Sequence, residues 1–288
     1  MRAAFRAFRS FATAAEVFSS RNATNFAVTG TGALVAATAT VAACARLSKD
    51  TVYEPGQAVG EGLRGELWKA RHENVDVLEL QEEGGENIKR LLTIVRSKES
   101  KGQVFRFGIQ RMIRTLVDSA FSTLPIEEVE VETPDGYKYQ GLDLSPEVKL
   151  CGIAMSVARN KYLDKEFAQC LDGAPTATVS VEVGGRRAKV AFQGLPEDVA
   201  DRHVFVLDAN LRSGRRCVAT IDHLIRRGVD PEKITVLAVV ASRDAIEAIC
   251  NHSSDVKVVV GAMDMGVDSD GCVVPGMGSL EDRYFREA

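Results

Sequence analysis

The chain has 288 residues, 45% of them hydrophobic and 26% charged, and its 36 Lys and Arg against 40 Asp and Glu leave a net charge of −4. These are the proportions of a folded globular chain; they exclude a disordered chain, a collagen-like repeat and a multi-span membrane protein. The acidic balance also argues against non-specific nucleic-acid binding, so no nucleic-acid partner is expected.

Charge is unevenly spread along the chain. Residues 1–47 hold five Arg and a single acid, Glu16, and no Lys. In residues 1–25, Arg2, Arg6 and Arg9 interleave with Phe5, Phe8 and Phe11. An Arg-rich, acid-poor amphipathic start is the pattern of a mitochondrial import sequence. Residues 26–47 are uncharged up to Arg46 and long enough to span a bilayer core of about 30 Å. They are rich in Ala and Thr, with small residues at Gly32, Ala36 and Thr40 spaced for close helix contact in lipid. This segment is read as a candidate transmembrane helix, against the alternatives of a longer cleaved presequence or an Ala-rich helix packed on protein. Residues 48–87, rich in Gly and acids, read as a connecting arm with a short helix around 67–70 and Trp68 as a docking anchor.

From residue 88 onward periodicity takes over. Ile88, Leu91, Leu92 and Val95 mark one helix; Ile109, Met112, Ile113, Leu116, Val117 and Ala120 mark another. Residues 127–132 and 137–142 flank Thr133-Pro-Asp-Gly136, a hairpin signature. Apolar runs at 149–155, 178–183, 203–207, 234–240 and 256–261 read as strands, alternating with helices at 161–171, 215–227 and 243–251. Near-continuous Val, Ile and Leu strands between helices indicate an α/β domain over 88–288, a parallel sheet flanked by helices. The six Cys form no CxxC pair and read as buried thiols, and His72, His203, His223 and His252 show no metal-ligand spacing.

Ligands of such sheets sit at the carboxyl ends of the strands. One junction has the right form there. A strand ends in Asp208, the loop Ala209, Asn210, Leu211, Arg212, Ser213 and Gly214 follows, and a helix opens at Arg215 and Arg216. A helix N-terminus behind a glycine loop can cradle phosphate with its backbone amides.

The stretch from Asp208 to Gly214 resembles the phosphoribosyl-pyrophosphate loop of uracil phosphoribosyltransferases, which typically reads Asp-Pro-Met-Leu-Ala-Thr-Gly-Gly-Ser. The tail Gly271-Cys-Val-Val-Pro-Gly-Met-Gly-Ser-Leu-Glu-Asp-Arg-Tyr-Phe285 resembles the same family's uracil-binding hood. The likeness is close from about residue 203 to the C-terminus and looser over 88–202. It implies the type I phosphoribosyltransferase fold with a C-terminal hood. It also implies base recognition through Val274, Pro275, Gly276 and Gly278, with Ser279 and Asp282 beside them. Members of that family usually pair as homodimers, and the sequence leaves self-pairing or pairing with other subunits open.

The departures from the family pattern bear on activity. Arg212 stands where Ala is usual, and Arg215 and Arg216 replace Gly-Ser. The pyrophosphate loop, near 156–161 with Arg159, retains no glycine, and the flexible loop shrinks to 184–189. Ser279 replaces an Asp that supports magnesium, and Glu281 replaces a Gly. Glycine permits close approach of the backbone to phosphate and arginine does not, so guanidinium side chains are expected to fill the turn and keep the sugar diphosphate out. From these departures and the N-terminal segment, the expectation is a catalytically degenerate member. It would be an accessory subunit of a mitochondrial inner-membrane assembly, such as a respiratory complex or ATP synthase, contacting other subunits and lipid and needing no cofactor or metal. The alternative is an active uracil phosphoribosyltransferase, in which Asp208 binds the ribose hydroxyls, Ser213 and Gly214 the 5′-phosphate and the hood the base, with Mg2+ required.

Overall fold

The central strand of the sheet, Ile234–Ser242, buries all nine of its residues, as a run of Ile, Val, Leu and Ala between two helix-covered faces must. The computed structural model describes residues 63–155, 161–183 and 188–285. In chain order these form α1 (Leu63–Arg71), β1 (Val75–Val77), α2 (Gly85–Arg96), α3 (Gly102–Phe121), β2 (Ile126–Glu132), β3 (Lys138–Leu144), β4 (Leu150–Met155) and α4 (Lys161–Gln169). Then come β5 (Thr176–Glu182), β6 (Lys189–Gln193), β7 (His203–Leu207), β8 (Asn210–Leu211), α5 (Arg215–Arg226), β9 (Ile234–Ser242) and α6 (Arg243–His252). β10 (Lys257–Asp264), β11 (Gly266–Val267), β12 (Val273–Val274) and α7 (Leu280–Phe285) close the described chain.

The main sheet runs β1-β10-β9-β7-β4-β5-β6, with β8 also paired to β9; its pairings are parallel except for the antiparallel edge β5–β6. Side chains alternate across it and divide the core in two. Val204 and Val206 join Ile221 and Leu224 of α5 and Ile246 and Ile249 of α6 on one face. Phe205 and Leu207 join Phe105, Ile109 and Met112 of α3 and Phe167 of α4 on the other. The β2–β3 hairpin stands apart as its own two-stranded sheet, turning at Gly136 with φ +82°, where Thr133 and Tyr137 close the turn.

The mixed α/β architecture agrees with the sequence reading, and the differences lie at its margins. Residues 75–77, assigned to a connecting arm, form the edge strand β1, with Val75 opposite Val258 and Val77 opposite Val260. Trp68 does act as an anchor: it is buried against the sheet's core and stacks on His72 at 4.3 Å. The segments 1–25 and 26–47, Arg159 and its loop, and residues 184–187 lie outside the described residues. Among the described residues, no helix is long and apolar enough to cross a membrane.

The contact between α3 and the sheet is tight enough to test. A Cβ on Gly261 of β10 would lie 2.4 Å from the Met112 Cε and 2.6 Å from the backbone oxygen of Val239 on the adjacent strand. Met112 can turn aside but the strand carbonyl cannot. Gly261→Ala is therefore expected to destabilise the domain by about 1–3 kcal/mol, the usual cost of overpacking, seen as a lowered melting temperature.

Candidate active site

The parallel strands β4, β7, β9 and β10 all point their carboxyl ends to one side, and the loops there build a crevice. β7 delivers Asp208, which is buried and lies 3.4 Å from the Arg216 guanidinium. Burial pushes the Asp208 carboxyl upward, and Arg216 opposes that shift. After Asp208 the chain pairs briefly with β9 as β8, then turns at Gly214, whose φ of +69° caps α5. A Cβ at Gly214 would come within 2.8 Å of the Ala245 carbonyl oxygen. Here the left-handed backbone and the close approach both require glycine. Ser242, fully buried at the end of β9, accepts the Ala245 amide at 3.1 Å and donates its hydroxyl to the Arg212 carbonyl. One serine thus caps α6 and pins the loop before α5.

The opposite wall is the hood. β10 ends in Asp264, which is fully buried, and Arg96 at the end of α2 grips it with two bonds of 2.6 and 2.9 Å. The same carboxylate accepts the Gly276 amide at 2.9 Å while Arg96 donates to the Gly276 carbonyl at 2.9 Å. Val274–Pro275 is a cis peptide, and β11 pairs with β12 beneath it. Arg283 of α7 donates to the carbonyls of Val95, Ser97, Ser100 and Met277 and lies over the Phe105 ring at 4.2 Å. The hood is thereby fastened to the junction of α2 and α3.

Between these walls lie two cavities. One, of about 230 Å³, faces the hood through Ala209, Met277, Gly278, Ser279 and Glu281; the other, of about 360 Å³, faces Ser213, Gly214 and Arg215 at the start of α5. Asp208, Asn210, Arg212 and Arg216 line both. Leu211 is buried in the core below, Val274, Pro275 and Gly276 shape the hood without lining either cavity, and Asp282 is exposed outside them. Two acceptors of residues lining the hood cavity, Asn210 Oδ1 and Glu281 Oε1, are buried with no partner. The sequence reading missed Arg96, Asp264 and Ser242; only Ser242 carried a local signal, a serine between an apolar strand and a helix.

Residues 85–286 match the family model for uracil phosphoribosyltransferase. The chain belongs to the uracil phosphoribosyltransferase family. It is 32% identical over 197 residues to the uracil phosphoribosyltransferase of Lachancea kluyveri, a span covering 68% of this chain and 90% of that one. The corresponding protein of Dictyostelium discoideum is 30% identical over 215 residues, 74% of this chain and 96% of that one. Among solved structures, the AQ2163 protein of Aquifex aeolicus superposes with a TM-score of 0.60 at 19% identity, covering 73% of this chain and 97% of that one, and supports the fold alone.

Membership of the uracil phosphoribosyltransferase family corrects the expectation of a degenerate accessory subunit in a mitochondrial inner-membrane complex. The family model and relatives that match over this domain carry the uracil phosphoribosyltransferase name. The loop itself is not closed off in the structure. Arg216 contacts Asp208, a glycine with left-handed backbone stands at 214, and open volume remains against the loop although Arg212, Arg215 and Arg216 line it.

Behind the hood, Glu79 is buried near Arg96 and Asp264, with one carboxylate oxygen unpartnered. Burial pushes its pKa up to about 7, Arg96 pulling the other way. A carboxyl protonated more readily in the folded state than in the unfolded one stabilises the fold at low pH and loses that contribution as pH rises. Its contribution is therefore full below about pH 4.5 and lost through about pH 7. Glu79→Gln is expected to flatten the stability–pH profile in this window, by on the order of 3 kcal/mol at pH 8, in urea unfolding at several pH values. An unchanged slope in the variant would remove Glu79 as its source.

Proposed function

We propose that the crevice transfers a phosphoribosyl group from phosphoribosyl pyrophosphate to uracil, yielding UMP and diphosphate. In this reaction N1 of the base bonds to the anomeric carbon, the bond from that carbon to the diphosphate oxygen breaks, and the N1 proton is lost. The observation that carries the reading is the joining of two walls over one crevice. The Asp208 loop runs into the N-terminus of a twelve-residue helix, and the hood is locked opposite it by Arg96, Asp264 and Arg283.

Each part has chemistry suited to a step. Asp208, at a strand end and buried, is placed to accept hydrogen bonds from the ribose hydroxyls. The first amides of α5 have no carbonyl within the helix to bond and, with Ser213, face the position of the 5′-phosphate. Arg212 and Arg215 add positive charge where diphosphate would lie. The locked hood presents fixed backbone groups to the base and leaves them no freedom to lose on binding, so recognition costs little ordering. Catalysis of this kind is mostly positioning and charge stabilisation, which preorganised groups supply.

Mg2+ belongs to this chemistry as the neutraliser of the departing diphosphate. Among the described residues no group of three or more His, Cys, Asp or Glu is arranged to hold a metal. A Mg2+ carried by the diphosphate would find the Glu281 carboxylate at the hood cavity as a protein contact and would neutralise the departing charge.

Purified protein given uracil, phosphoribosyl pyrophosphate and Mg2+ is expected to form UMP, detected by chromatography. Asp208→Asn should lower kcat/KM by about 100-fold, the worth of one or two hydrogen bonds to a charged group. Absence of UMP from the folded wild-type chain would overturn the proposal.

A further inference from the structure

Two arginine–aspartate pairs sit at strand ends in this crevice, and they are built differently. Arg96 holds Asp264 by both carboxylate oxygens at 2.6 and 2.9 Å, and Asp264 also takes a backbone amide. Asp208 likewise takes a backbone hydrogen bond, from Asn210, but Arg216 reaches it by only one contact of 3.4 Å, with the Arg216 side chain 28% exposed and that of Asp208 10% exposed. The first pair is a fixed strut. The second is a single long contact that a competing anion could draw apart.

The position of Arg216 makes such competition expected. It is the second residue of α5, whose first turn carries Arg215 and Arg216 and no acid. A cation at that end opposes the helix dipole and requires a nearby anion. Asp208 supplies one negative charge there, and a phosphate at the same helix end would supply nearly two. Arg216 and Asp208 both line both cavities, so the ion pair itself borders the volume in front of the loop.

We infer that Arg216 makes the site selective for phosphorylated ribosides by an ion-pair exchange: it occupies Asp208 until a ligand phosphate at the start of α5 draws it away and frees the carboxylate for the ribose hydroxyls. This rests on the proposed placement of ribose at Asp208 and phosphate at α5. An unphosphorylated riboside must break the Arg216–Asp208 contact with nothing to offer the guanidinium. A phosphorylated one transfers the guanidinium to a stronger partner, since arginine–phosphate pairs are charge-assisted and can be bidentate. Asp208 is buried, so without Arg216 it keeps its need for donors, and ribose hydroxyls would meet that need.

The exchange gives two signatures that a purely structural arginine would not. In calorimetry, R216S should bind uridine about tenfold more tightly than wild type and UMP about tenfold more weakly, a crossed effect scaled by one charged hydrogen bond. R216Q, which keeps length and a donor without the charge, should move both ligands in the same directions. In the wild-type chain, saturating inorganic phosphate at matched ionic strength should tighten uridine binding several-fold, because phosphate and riboside would then be positively coupled. Uridine affinity unchanged or lowered in folded R216S or R216Q overturns the inference, as does wild-type uridine binding that is indifferent to phosphate. No binding of either ligand by wild type or variants overturns it too. Turnover is not the readout: a chain with the crossed effect that makes no UMP keeps this exchange and loses the transferase reading.

Discussion

The hood exists as a structure because of one buried charge. β11 and β12 have two residues each and α7 has six, far too little to bury a core of their own. Met277 and Tyr284 join the core beside α3, and the polar tie is Asp264, the fully buried last residue of β10, gripped by Arg96 from α2. A buried carboxylate without partners would be prohibitive, and this one has a guanidinium fork and the Gly276 amide. Gly276 accepts that geometry because its φ is +62° and a side chain there would meet the Val273 carbonyl at 2.2 Å. The turn of the hood, the end of a core strand and the end of α2 are therefore one hydrogen-bonded unit. Arg283 repeats the logic from the other side by donating to carbonyls at the end of α2 and in the loop before α3.

That rigidity gives the crevice two walls of unlike character. The hood wall is set by backbone groups and charge pairs saturated by each other. The loop wall keeps its backbone equally fixed, through Ser242 and Gly214, yet leaves its arginines partly exposed and held by one long contact. Shape and charge are thus separable in the loop. The turn geometry needs only the glycine at 214 and the serine that pins Arg212, whereas the side chains at 212, 215 and 216 project from that frame into the cavities. Replacing small residues by arginine at such positions alters the field inside the crevice without altering the path of the chain.

Much of the sheet was legible in the sequence because buried parallel strands must be apolar on both faces. Runs such as 203–207 and 234–240 therefore stand out against their surroundings. The edges were not legible for the opposite reason. β1 is three residues with Asp76 at its centre, and β6 alternates exposed Lys189 and Gln193 with half-buried Val190 and Phe192, so neither shows a sustained apolar run. The loop and hood could be placed by their glycines and by resemblance, but their fastening could not. Arg96 occupies an unremarkable position at the end of an amphipathic helix, and its partner is 168 residues away. Side-chain direction was equally hidden: composition placed three arginines at the turn, and only the fold shows Arg216 turning toward Asp208.

Electrostatics explains why arginines at this turn are compatible with a working crevice. Asp208 is buried where an unpaired carboxylate would tend to take up a proton, and burial does push it that way. Arg216, with Arg212 beyond it, pulls the carboxyl back toward its charged form. The same guanidinium sits at the positive end of α5, where it is stabilised by whatever anion is near. Carboxylate and cation therefore each need the other. The arginine that looks, from the sequence, like an obstruction of the phosphate loop is in the folded chain the counter-ion of Asp208.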